Sequence, residues 1–159
     1  MLWVVFIFVG GVVVAGLGVL LVLAVISHRQ TVAVAENPGA RLQPCPAQPN
    51  CVSSLTGEGR RAVAPFAYAG SPETAWARLR EVVRSLGGRI QYEEYGYLWA
   101  TFHTPVFRFV DDLELGLDAA NRLIHVRSAS RLGYSDLGVN TWRVARLHAY
   151  WAEERRCCQ

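Results

Sequence analysis

The densest run of polar side chains in the 159-residue chain is Arg127-Ser128-Ala129-Ser130-Arg131-Leu132-Gly133-Tyr134-Ser135-Asp136-Leu137-Gly138-Val139-Asn140, with Arg143 close behind. These residue types suit the capture of an oxyanion or a charged head group. Ser128, Ser130, Tyr134 and Ser135 offer hydroxyls, the glycine-containing loop offers N–H groups, Arg127, Arg131 and Arg143 offer forked donors, and a helix starting near Asn140 adds the positive end of its dipole. The competing reading is internal: Asp111, Asp136 and the arginines satisfy one another in a buried network that pins the loop to a sheet. All 16 basic side chains are Arg. Arginine keeps its charge when buried and fits carboxylate as well as phosphate, so both readings stand at this point.

Catalysis finds little support in the same residues. The serines lack the sharp strand-to-helix turn of an activated nucleophile, and no histidine lies in the run to act as their base. His103, His125 and His148 are scattered and read as surface or packed histidines. Asp111-Asp112-x-Glu114 has the hard oxygen ligands a divalent cation wants, but alternation along a strand turns Asp111 away from Asp112 and Glu114. No catalytic residue, metal site or cofactor is expected. Tyr92, Tyr95, Tyr97 and Trp99 could line an apolar groove, or serve as core and cross-strand pairs.

The elements that must position these residues follow from periodicity. Val63–Tyr68 reads as a short strand broken by Pro65. Ser71-Pro72-Glu73 supplies an N-cap, a proline at the first helical position and an acid at the positive dipole end. Ala75, Trp76, Leu79, Val82, Val83 and Leu86 then form one apolar helical stripe, which Gly87-Gly88 ends. From Arg89 the period becomes two. Arg89–Glu93 and Tyr97–His103 read as a hairpin around Glu94-Tyr95-Gly96, and Val106–Leu117 and Arg122–Ser130 as another around Asp118-Ala119-Ala120-Asn121. That turn sets Asp112 opposite Arg127, Glu114 opposite His125 and Asp111 opposite Ser128, with Asp111 on the apolar face and in need of a partner. Asn140 is placed to cap a last helix carrying Val144, Leu147 and Trp151, with Arg155-Arg156 at its negative end. The expected fold is α+β: a small antiparallel sheet of four to five strands covered by two helices, in the order β-α-β-β-β-β-α, over residues 56–156.

Ahead of this lies a different phase. Residues 1–26 contain no polar side chain. As a helix, 25 such residues reach roughly 37 Å, more than the roughly 30 Å hydrocarbon core of a bilayer. Residues 2–26 are therefore expected to cross a membrane as an uncleaved anchor, since a signal peptide has a basic start and a shorter apolar region; Ala33-Val34-Ala35 is the one feature in favour of cleavage. Gly11, Ala15 and Gly18 form a small-residue stripe through which two copies could pair, or reflect the frequency of glycine in membrane helices. Without the anchor, the remainder is about 46% apolar and ordinary for one domain. A net charge of +3 with interspersed signs makes no basic face and excludes nucleic acid as a partner.

Residues 28–55 read as a Pro-rich linker. Within it Cys45 and Cys51 enclose five residues stiffened by two prolines, a spacing suited to a small disulfide ring and poorly suited to a metal. A disulfide persists in an oxidising compartment, whereas Arg29 and Arg41 after the anchor weakly favour a cytoplasmic domain. Cys157 and Cys158, at the start of the 157–159 tail, have no evident role.

Leu42–Ser54 with its Pro-Asn-Cys-Val-Ser-Ser ending, Phe109-Val110-Asp111-Asp112, and Arg127–Asn140 with Arg143 together resemble the bacterial and plastid family catalogued as domain of unknown function 1499. The resemblance runs from Leu42 to about Leu147 and departs at Thr141-Trp142, where the family more often carries basic residues. It implies membrane attachment or export and carries no activity. The sequence as a whole is expected to encode a single-pass protein of the bacterial inner membrane with its domain on the periplasmic side, a module binding an anionic small molecule, lipid head group or envelope protein. An envelope enzyme acting on a phosphate- or carboxylate-bearing substrate is the alternative.

Overall fold

The computed structural model describes residues 2–29, 42–56, 59–104 and 108–157, with side chains as far as Glu153. Ala33-Val34-Ala35, Arg41 and Cys158 lie outside the described residues, as do the side chains of Arg155, Arg156 and Cys157. The order is α1 (Leu2–Arg29), β1 (Cys51–Ser53), β2 (Phe66–Ala67), α2 (Pro72–Ser85), β3 (Arg89–Glu94), β4 (Tyr97–His103), β5 (Val110–Asp118), β6 (Leu123–Ser130) and α3 (Val139–Cys157).

The expected sheet of four to five strands with two helices is thus corrected. Six antiparallel strands and three helices are present among the described residues, in the order α-β-β-α-β-β-β-β-α. The extra strand is β1, from the stretch read as linker. It pairs with β6 (Cys51↔Ala129, Val52↔Ser128, Ser53↔Arg127), and β2 pairs with the other end of the same strand. All three residues of β1 are buried, so it has no polar–apolar alternation to betray it. The sheet runs β1-β6-β5-β4-β3.

Local chemistry accounts for the elements. Ser71 caps α2 by accepting from the Thr74 N–H at 3.2 Å, and Gly87 takes the left-handed conformation, φ 88°, that ends it. The β3–β4 hairpin turns at Tyr95-Gly96, with Glu94 opposite Tyr97. Strand β5 begins at Val110, later than expected. Val106, where the strand was expected to start, lies outside the described residues; Thr104 and Phe109 hydrogen-bond to each other ahead of β5, and Arg108 sits at φ 55°.

The β5–β6 register also differs from expectation. Asp111 stands opposite Ser130, Leu113 opposite Ser128, Glu114 opposite Arg127 and Leu117 opposite Ile124. The shift is two residues, because Arg122 joins the turn at φ 55° while Asp118 stays in the strand and accepts from the Asn121 backbone and side-chain amides at 3.1 and 2.7 Å. An even shift keeps every side chain on its face.

One face of the sheet carries Leu98, Ala100, Leu113, Leu115, Ile124 and Val126, packed against Leu79, Val82 and Val83 of α2 and Val144, Leu147 and Trp151 of α3. Trp76 and Phe66 complete this core. The other face is roofed near Gly116 by Leu42, whose Cγ lies 3.3 Å from where a Cβ on that glycine would sit. Cys45 and Cys51 form a disulfide that ties this strap to β1. Helix α1 is long and apolar enough to cross a membrane. Only its last turns meet the domain, where Ser27 is buried and accepts from the Val110 N–H at 3.0 Å and His28 stacks on His103.

Candidate functional site

Helix α3 buries a stripe at Asn140, Arg143, Val144, Leu147 and Trp151. Its apolar end faces Phe66, and its polar first turn faces Asp111, Ser128 and Ser130 on the sheet. The Arg143 guanidinium donates to the Asp111 carboxylate and lies 4.8 Å from the centre of the Phe102 ring. It also donates to the Ser128 hydroxyl at 3.0 Å and to the Asn140 side-chain oxygen. Asn140 accepts from Ser128 at 2.6 Å and donates to Ser130 Oγ and the Asn50 carbonyl, both at 3.0 Å. Asn50 continues the chain of contacts by donating to the Gly133 carbonyl at 2.7 Å. A charge buried this deeply is tolerable only when paired and hydrogen-bonded, and these bonds meet that condition for Arg143 and Asp111.

Asn140 was expected to cap α3, but the helix begins at Val139. Asp136 takes the capping role, its carboxylate accepting from the Gly138 and Asn140 N–H groups at 3.0 and 2.8 Å. That frees the Asn140 side chain for the buried cluster.

Arg127 and Arg131 do not join Arg143. Strand alternation and the end of β6 send them to the opposite face, where Asp112 and Glu114 point. Arg127 donates to Glu114 at 2.6 Å, and Arg131 grips Asp112 with two donors at 2.9 Å. Each carboxylate has an aromatic donor as well: Tyr97 to Glu114 at 3.1 Å and Trp99 to Asp112 at 2.8 Å. The Gln43 N–H of the strap gives Glu114 a third donor at 3.1 Å. Burial pushes the Glu114 carboxyl above its ordinary range against the opposing pull of Arg127. Burial, reinforced by the Glu114 charge, also pushes the Tyr97 hydroxyl up, so it stays a donor.

The ten residues nominated from sequence therefore divide. Asp111, Ser128, Ser130, Asn140 and Arg143 meet beneath α3, while Arg127 and Arg131 sit across the sheet. Asp136 caps, and Ser135 and Tyr134 are exposed on the loop. Among the described residues the nominated arginines all face carboxylates: Asp111, Asp112 and Glu114.

The model of one protein family, described as a protein of unknown function and designated DUF1499, matches residues 41–150. The chain belongs to this family. No curated protein and no solved structure matches it.

In this DUF1499 domain, sequence reasoning missed Asn50, which joins β6, the loop and α3, and it missed the partners Tyr97 and Trp99. Asn50 lies in the Pro-Asn-Cys stretch next to a strand too short to recognise. For the aromatics the signal was present, since Tyr97 and Trp99 share a strand parity and that face also carries Asp112 and Glu114. A second polar alignment was also unforeseen. Ser54 Oγ lies 3.1 Å from His125 Nδ1, and His125 Nε2 lies 3.8 Å from Asp118. It departs from a nucleophile relay in that the Ser54 hydroxyl accepts from the Val126 N–H at 2.9 Å, which draws on the lone pairs an attack would use. The Asp118 carboxylate is committed to Asn121 as well, and those hydrogen bonds hold its pKa down.

Proposed function

We propose that this DUF1499 chain is a single-pass protein of the bacterial cell envelope whose domain stands on the extracytoplasmic side as a non-catalytic binding module, docked on the foot of its own membrane helix. The observation that carries this reading is that Arg127, Arg131 and Arg143 are each already paired with a carboxylate of the chain. An anion entering at Arg143, Arg131 or Arg127 would have to displace Asp111, Asp112 or Glu114 and leave a carboxylate buried without its cation, at several kcal/mol. The arginine interior is a clamp, and ligands meet the outer face of the 131–138 loop. An anionic lipid head group or an envelope partner fits that face better than a small anion sequestered inside.

The extracytoplasmic side is favoured by the Cys45–Cys51 disulfide, since thiols in a reducing cytosol would stay apart. The test is a cysteine placed at Glu81, on the exposed side of α2, in a chain whose Cys157 and Cys158 are replaced by Ser. A membrane-impermeant maleimide should label it in intact spheroplasts. Protection until the membrane is broken would put the domain inside.

An enzyme is the second reading, favoured by Ser54, His125 and Asp118. Labelling of Ser54 by a fluorophosphonate probe, lost in His125→Ala, would establish it in place of the first. No labelling above an unfolded control is the expected result.

A further inference from the structure

The last two turns of α1 do not project freely. Leu20, Leu23, Ala24 and Ser27, at i, i+3, i+4 and i+7, are its partly or fully buried positions, whereas the rest of the apolar helix is exposed. Leu23 lines a cavity of about 310 Å³ with Phe109, Leu132, Leu137 and Val139, to which Asp111, Ser130 and Asp136 add a polar edge, so the 131–138 loop faces the helix across this cavity at a level inside its apolar run, which ends at Ile26. On this loop and the first turn of α3, three large side chains are turned outward: Leu137 at 95% exposure, Tyr134 at 76% and Trp142 at 61%. Leu137 holds that position on a left-handed backbone, φ 54°. Arg146 lies over the Trp142 ring at 4.7 Å, and Arg29, at the end of α1, and Arg108, just ahead of β5, are exposed.

We propose that the 131–138 loop and the start of α3 are seated in the lipid interface beside α1, with Tyr134, Leu137 and Trp142 against lipid and the cavity at Leu23 open to an acyl chain. The proposal rests on the reading of α1 as a membrane helix and deepens it. Depth arithmetic supports it. Residues 2–26 reach roughly 37 Å, about 7 Å more than the hydrocarbon core, a surplus of about five residues. With the surplus on the domain side, Leu23 stands in the head-group layer and carries the loop there. With the surplus on the far side, the loop backbone and Asp136 would enter hydrocarbon and leave polar groups unsatisfied, so the surplus belongs on the domain side. The chemistry agrees, since tyrosine and tryptophan concentrate at bilayer interfaces and an arginine beside them can meet phosphate.

The test is fluorescence quenching of the full chain in vesicles of phosphatidylcholine with one-fifth phosphatidylglycerol. Trp142→Phe and Trp3→Phe variants isolate the two tryptophans by difference. The proposal predicts that brominated phospholipid quenches the Trp142 component as strongly as that of Trp3, and that aqueous iodide quenches it several-fold less than free tryptophan. Ready quenching of Trp142 by iodide, with Trp3 still quenched by brominated lipid, would overturn the seat and leave the anchor intact. Shielding of Trp142 from both quenchers would also overturn it, indicating a protein cover such as a second copy. Failure of brominated lipid to reach Trp3 would overturn the anchor itself.

Discussion

At Glu114 the opposing free energies of a buried charge can be followed atom by atom. The side chain has no exposure, yet it accepts from Arg127, Tyr97 and the Gln43 backbone. Desolvation outweighs these donors, and its pKa stands above the ordinary 4.5. The folded chain therefore holds this proton more firmly than the unfolded chain does. The stability it contributes is full below pH 4.5 and is lost as pH rises through the raised value. Glutamine mimics the protonated form, so the melting temperature of Glu114→Gln should improve relative to wild type between pH 4 and 7. A difference that stays flat with pH, or that runs the other way, would show that the carboxyl is not held up. Asp111 and Asp112 are likewise buried beside arginines, which explains how one strand buries three carboxylates on the two faces of the sheet.

Among the elements, the α2–β3 connection shows how tightly the core is set. A Cβ on Gly88 would lie 2.6 Å from Val83 Cγ1, 2.8 Å from Phe102 Cζ and 2.8 Å from the Val83 carbonyl oxygen. Gly88→Ala should lower stability by about 1–3 kcal/mol through overpacking, measured by urea unfolding. Gly87→Asn, at a position open to solvent and in a left-handed conformation asparagine tolerates, should cost less. Equal losses would mean that the backbone conformation, and not the close approach, is the constraint. Helix α2 and the β3–β4 hairpin were legible because each combines a period with its own stop signal. Strand β1 was not, because three buried residues after a proline-rich stretch have no period. The β5–β6 register slipped by two because the sequence does not show whether Asp118 or Arg122 belongs to the turn. The even slip preserved the faces, so Asp111 was still correctly read as a carboxylate on the apolar side.

Over the whole molecule, a sheet covered on one face by helices and on part of the other by a strap stands at the foot of an apolar helix. Helices α2 and α3 cover one face, while the disulfide-tied strap reaches the other at Gly116 and Glu114. Part of the buried charge was legible as composition: Asp111, Arg127 and Arg143 are buried, but so are Asp112 and Glu114, which lie outside the nominated residues. Strand alternation already set Arg127 on the face of Asp112 and Asp111 on the other; the individual pairings were not legible, because they depend on the register and on where Arg131 and Arg143 leave their elements. Arg127, Arg131 and Arg143 pair with the protein's own carboxylates. The measurement that tests this pairing most directly is a double-mutant cycle on Asp111→Leu and Arg143→Met, read by unfolding of the full chain in detergent with and without inorganic phosphate. Each single variant should lose about 3–5 kcal/mol, the double variant should lose less than the sum, and phosphate should shift none of the transitions. Single variants as stable as wild type, with phosphate stabilising wild type but not Arg143→Met, would contradict it and make the cluster a ligand site.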